Sequence, residues 1–110
     1  MKFGDDVLIQ HILKECEKIR DLLEIVSYEE FLEKTMYQDA LIRPLEIIGE
    51  AAGNLSQEFV SAHPEIPVAN MKGMRNLLMH QYFRVDLNLV WQTCTQDIQP
   101  VYQSLLSCRK

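Results

Sequence analysis

The chain is short of the residues that break helices or cross-link folds. Its 110 residues include four glycines and four prolines, too few for a loop-rich β-sandwich or a disordered chain. The three cysteines, Cys16, Cys94 and Cys108, are an odd number at wide spacing. They form no CxxC pair, and no histidine lies near enough for a zinc pattern, so they read as reduced thiols without a metal or disulfide role. No apolar run approaches the ~20 residues a membrane-spanning helix needs. The N-terminus, MKFGDDVLIQHILKE, turns acidic at once and lacks the apolar stretch and cleavage site of a signal peptide. The expectation is a cytoplasmic chain with no membrane contact, folded as a single domain over residues 1–110.

Positive charge is scarce too, and unevenly placed. The net charge is −5, which argues against generic wrapping of a polyanion. Residues 1–66 carry six Lys/Arg and fourteen Asp/Glu, a net of −8, whereas residues 67–110 carry five Lys/Arg and two Asp, a net of +3. A small anion site therefore fits the C-terminal part best.

Helical periodicity fills most of the sequence. Leu8 or Ile9, Ile12, Cys16, Ile19, Leu23 and Val26 recur every three or four residues and predict a helix over about 5–26, capped by Asp5. Ser27 and Glu30 form a capping-box pattern for a short helix over about 28–35. Leu41, Leu45, Ile48, Ala52 and Leu55 give the seam of a third helix over about 36–55, which Pro44 should bend near residues 39–41. Gly49 and Gly53 lie one turn apart in it, where each costs about 1 kcal/mol of helix propensity. That spacing points to close backbone approach, within the chain or across a dimer. A fourth helix over about 57–62 ends at HPEIP, with His63 read as a C-terminal helix cation. A fifth spans about 68–81, and a sixth, capped by Asp86 and kinked by Pro100, runs to about 107. The fold class is all-α, a bundle of about five to six helices.

The fifth helix holds the chemistry. In KGMRNLLMHQYF (Lys72–Phe83), Met71, Met74, Leu77 and Leu78 share a core arc, and Lys72, Arg75, Asn76, Met79 and His80 lie opposite. An imidazole can exchange a proton with a ribose 2′-OH near neutral pH. An arginine fork can stabilise charge on phosphate oxygens, Asn76 can orient the imidazole or donate to phosphate, and Lys72 can bind phosphate. These residue types suit RNA cleavage without a metal, yet on chemistry alone a hydrogen-bonded structural histidine is the better reading. Arg75 and His80 also point roughly 140° apart at ~100° per residue. Either the helix loosens near Met79–Gln81, or two copies share one site.

RNLLMHQY (Arg75–Tyr82) resembles the Arg–four-residue–His–any–Tyr motif of the HepT-like branch of the HEPN superfamily. The blocks Gln38–Phe59, HPEIP, KGMRN and His80–Thr93 follow that family's order, so the resemblance covers about residues 5–105. It implies an all-α, homodimeric HEPN bundle that acts as a metal-independent endoribonuclease toxin and needs no cofactor. Arg75 and His80 would be the catalytic pair and Asn76 the accessory polar residue, in a cleft where two subunits' motifs meet. The implied partner is a minimal nucleotidyltransferase antitoxin that adenylylates Tyr82, setting an anion beside the pair. The implied substrate is RNA, tRNA or mRNA, and the acidic surface suits a structured tRNA touched at few phosphates. Two positions depart from the family pattern: Val68 where an aromatic commonly stands, and Pro44 inside a helix. A non-catalytic subunit that binds nucleotide or supports the partner enzyme is the alternative, and a purely structural dimer is the third.

Overall fold

The computed structural model describes residues 4–80 and 86–108, leaving out the side chains of residues 76–80. Every regular element among them is helical. Helix α1 (Asp5–Leu23) buries Leu8, Ile9, Ile12, Leu13, Cys16 and Ile19, the stripe that the apolar spacing predicts. It stops three residues short of Val26, which is buried in the turn beyond. Asp5 is not the cap. Gly4, which has no side chain to bond with, holds that position, and the Asp5 carboxylate bonds Ser56 instead.

The capping box at Ser27 forms as expected. Ser27 Oγ accepts the Glu30 amide at 3.2 Å, and the Glu30 carboxylate accepts the Ser27 amide at 3.0 Å. Helix α2 (Tyr28–Glu33) then drives Phe31 into the core and rests Tyr28 and Phe31 against Trp91. Helix α3 (Thr35–Gly53) runs through the buried Pro44 without ending. Its buried residues Leu41, Leu45, Ile48 and Ala52 reproduce the predicted seam. Helix α4 (Gln57–Ala62) has the expected limits and is capped by Ser56 Oγ, which accepts from the Phe59 amide at 3.0 Å. His63 forms its C-cap, stacked on Phe59 at 4.5 Å and paired with Glu65 at 3.2 Å.

Helix α5 (Val68–His80) follows the HPEIP breaker, where Ile66 is buried and its carbonyl accepts the Val68 amide. Asp86 caps α6 (Leu87–Gln92) through its carboxylate and the Leu89 amide at 3.1 Å. The expected single last helix is divided. A π-helical turn over Thr93–Asp97 separates α6 from α7 (Ile98–Cys108). It lies just before Pro100, whose ring would crowd the Gln96 carbonyl in a regular α-helix. Thr93 and Thr95 hydroxyls bond the Leu89 and Trp91 carbonyls, each at 2.8 Å, which shares those acceptors within the widened turn.

The connections set the layout. α1 begins beside Ser56, just past the end of α3, so these two helices run antiparallel. Gly49 lies against Arg75 and Gly53 near Lys72, which makes α3 and α5 antiparallel as well. On the other side of α1, Tyr102 of α7 donates to Glu17 at 2.9 Å, and Arg20 lies 4.6 Å over its ring. Ile12, Ile19, Leu41, Ile48, Met71 and Leu105 fill the centre at 0–1% exposure. Burying such side chains is worth about 1.5–3 kcal/mol each. The bundle therefore holds α3 as a fixed base for α5. None of its described helices is long and apolar enough to cross a membrane.

Candidate active site on the fifth helix

The site is built from α5 outward. Met71 is fully buried, Val68 nearly so and Met74 half-buried, which seats the helix on α3. Lys72 and Arg75 are exposed. Neither makes a hydrogen bond or ion pair with a described residue. Two cations one turn apart, with no acceptor among the described residues, can receive an anion without first breaking a bond to any of them.

The base of Arg75 is not on the outer surface, although the helical wheel sets it opposite the core. It lies against α3 at Gly49. A Cβ built on Gly49 would fall 2.5 Å from Arg75 Cβ, 2.8 Å from its amide nitrogen and 3.1 Å from its Cα. The side chain thus starts inside a helix–helix contact and ends in solvent. At Gly53 the same construction meets only Lys72 Cγ, at 4.0 Å. Close approach within the chain is therefore real at Gly49 and absent at Gly53. The sequence carried the signal for a contact, but not the residue on its far side.

Helix α5 stays α-helical through His80. No loosening occurs before that residue, so the backbone holds positions 75 and 80 roughly 140° apart. The side chains of Asn76 and His80 lie outside the described residues, as does Tyr82 altogether. Of the sequence-derived set, Lys72 and Arg75 are the two whose surroundings are defined.

A groove of about 330 Å³ follows the other flank of α5, lined by Leu45, Asn70, Met71, Met74, Val90 and Asp97 among others. Neither cation lines it. The described residues contain no group of three or more His, Cys, Asp or Glu arranged to hold a metal ion. Burial pushes the Cys94 thiol up to about 12, and burial with neighbouring Glu17 and Glu15 does the same at Cys16. These neutral thiols are far from nucleophilic at physiological pH.

A compact bundle whose described elements are all helical is consistent with the HEPN fold. The chain belongs to the HepT-like family: the family described as "Ribonuclease HepT-like" matches residues 12–107. It is similar to "Probable ribonuclease HepT" of Thermococcus cleftensis, 37% identical over 110 residues and the whole of both chains. It is 39% identical to "Putative RNase TTE0752" of Caldanaerobacter subterraneus subsp. tengcongensis over 90 residues, 82% of this chain and 80% of that one. "Putative RNase MJ1380" of Methanocaldococcus jannaschii is 34% identical over 82% of this chain and 83% of its own. No solved structure matches. The family and these relatives support RNA cleavage as the activity.

Proposed function

We propose that this chain is the toxin of a toxin–antitoxin module, a metal-independent endoribonuclease whose Arg75 and His80 act together in a cleft between two subunits. The observation that carries the reading is Arg75, exposed and without a partner among the described residues, on α5 of a chain in a ribonuclease family. An uninterrupted α5 supports the shared site. One helix can aim positions 75 and 80 at a single phosphate only if Arg75 reaches around it, whereas two facing helices can supply one group each.

In this reading His80 accepts the proton of the ribose 2′-OH as that oxygen attacks phosphorus. The P–O5′ bond breaks, the 5′-oxygen takes a proton from water or from the imidazolium so formed, and a 2′,3′-cyclic phosphate remains. Arg75 neutralises charge gathering on the non-bridging oxygens. Asn76 orients the imidazole or the phosphate, and Lys72 binds a flanking phosphate. A nucleotidyltransferase antitoxin silences the site by adenylylating Tyr82, two residues beyond His80, where AMP opposes incoming RNA by bulk and charge.

The acidic surface favours a second reading, a non-catalytic HEPN subunit that binds nucleotide or assists the nucleotidyltransferase. One experiment separates them. Purified protein is incubated with total RNA in EDTA, and product ends are mapped. Cleavage leaving cyclic phosphate, lost in His80→Ala, supports the nuclease. Intact RNA with the wild-type chain supports the accessory role. Incubation with the antitoxin and ATP should then add AMP at Tyr82, and modification at other residues alone would sink that mode of control.

A further inference from the structure

We propose that Gly49 is a positioning residue for Arg75, holding the arginine stem at the α3–α5 contact so that its guanidinium leaves the bundle in one direction. The inference rests on the reading of Arg75 as a catalytic group.

The contact is specific. All three atoms nearest to an added Cβ belong to Arg75, and two of them are backbone. None is the far end of a flexible side chain that could swing aside. A methyl group at position 49 therefore displaces the α5 backbone at the residue that carries the guanidinium. Gly49 is buried and sits in the middle of α3, where glycine is unfavourable for the helix itself. The atoms nearest to the space it leaves are those of Arg75. Gly53, on the same helix one turn later, has ordinary van der Waals room above it and supplies an internal control. The described residues offer Arg75 no hydrogen bond or ion pair to fix its direction. The start of the stem then sets which positions its four rotatable bonds can bring the guanidinium to, and misplacement by about 1 Å is enough to cost a large part of a rate.

The test is a kinetic cycle on RNA cleavage, with kcat, KM and melting temperature measured for each variant. Gly49→Ala should lower kcat about tenfold or more while KM changes less than about threefold. Gly53→Ala should leave both close to wild type. In an Arg75→Ala background, Gly49→Ala should reduce the residual kcat no further, because the group it misplaces is already gone. An equal fractional loss in both backgrounds would show a general structural effect and overturn the proposal. So would an unchanged kcat in Gly49→Ala. Full activity in Arg75→Ala would instead remove Arg75 from the site, which is failure of the parent reading and is recognisable as such.

A measurement on the wild-type chain covers the case in which Gly49→Ala does not fold. Binding of a 2′-O-methyl RNA oligonucleotide should slow amide exchange around Gly49 in α3 together with that around Arg75. Protection confined to α5 would overturn the proposal.

Discussion

The Asp5 carboxylate closes on Ser56, accepting its amide at 2.8 Å and its hydroxyl at 2.6 Å. Ser56 Oγ in turn accepts the Phe59 amide. One carboxylate at the start of α1 therefore orders the N-cap of α4, fifty-one residues away. Asp5→Ala should cost about 1–2 kcal/mol, the range for a lost cap and a charge-assisted bond. Urea titration should show a lower midpoint with an unchanged slope. Ser56→Ala should cost about as much, and the double variant little more, since both remove the same linkage. Full additivity would show that the two residues stabilise the fold independently.

Much of this fold is legible in the sequence because its signals are local. The Ser27–Glu30 capping box and the Asp86 cap depend on residues three apart. The apolar seam of α3 is equally local. Asp5 was misplaced as a cap because nothing in its neighbours announces Ser56. The π turn before Pro100 is not legible for another reason: a proline inside a helix permits a kink, a break or a widened turn, and its neighbours in sequence do not decide among them. Of the site, the residue types on α5 were visible, but the burial of the Arg75 base was not. That depends on Gly49, whose partner is twenty-six residues further on.

Trp91, the single tryptophan, reports whether α2 is docked. Its ring lies 5.6 Å from Tyr28 and 5.3 Å from Phe31, while Tyr28 hydroxyl meets Asn88 Oδ1. Phe31 is fully buried, so Phe31→Ala should destabilise by about 3–5 kcal/mol. Tryptophan emission should shift to longer wavelength as water reaches the ring. An unshifted spectrum with this stability loss would mean that α2 stays docked without its anchor.

On the nuclease reading, removing either member of the pair should cost rate and leave the fold intact. His80→Ala should lower cleavage by about 10²–10⁴-fold, the usual weight of a general acid or base. Arg75→Ala should lower it by about 10²–10³-fold, as for other groups that stabilise developing charge. Circular dichroism and melting temperature should remain near wild type for both. If subunits share the site, mixing the two inactive variants should restore part of the activity, since a mixed dimer regains one intact pair. No recovery on mixing would argue against a composite cleft.

Alkaline pH should expose the buried thiols as a stability liability. Cys16 and Cys94 are held neutral in the fold, with pKa values near 12 against an ordinary value near 9. Their folded pKa values are raised, so their contribution is complete below about pH 9 and is lost as pH climbs toward 12. Urea midpoints should fall between neutral pH and about pH 11. The fall should be shallower in Cys94→Ala, which removes one of the titrating groups while lowering the starting stability through the cavity it leaves. A parallel fall in variant and wild type would assign the alkaline loss to other groups.

Glu15 is the one carboxylate buried in the described core, at 6% exposure. Its Oε2 accepts from Lys18 at 3.1 Å, but Oε1 has no partner among the described residues. A buried acceptor left without a bond costs about 1–3 kcal/mol. An apolar replacement of similar volume removes that cost while keeping the packing. Glu15→Met should therefore stabilise the isolated chain by about 1 kcal/mol, read as a raised urea midpoint. The exposed Lys18 ammonium loses only a local i,i+3 partner, a small effect at the surface. Glu15→Gln should give less, since the amide still needs bonds that the site does not supply. A loss of stability in Glu15→Met would mean that Oε1 is satisfied in solution, by water or by a second copy. Repeating the titration across protein concentrations separates those two cases, because only a subunit contact makes the midpoint rise with concentration.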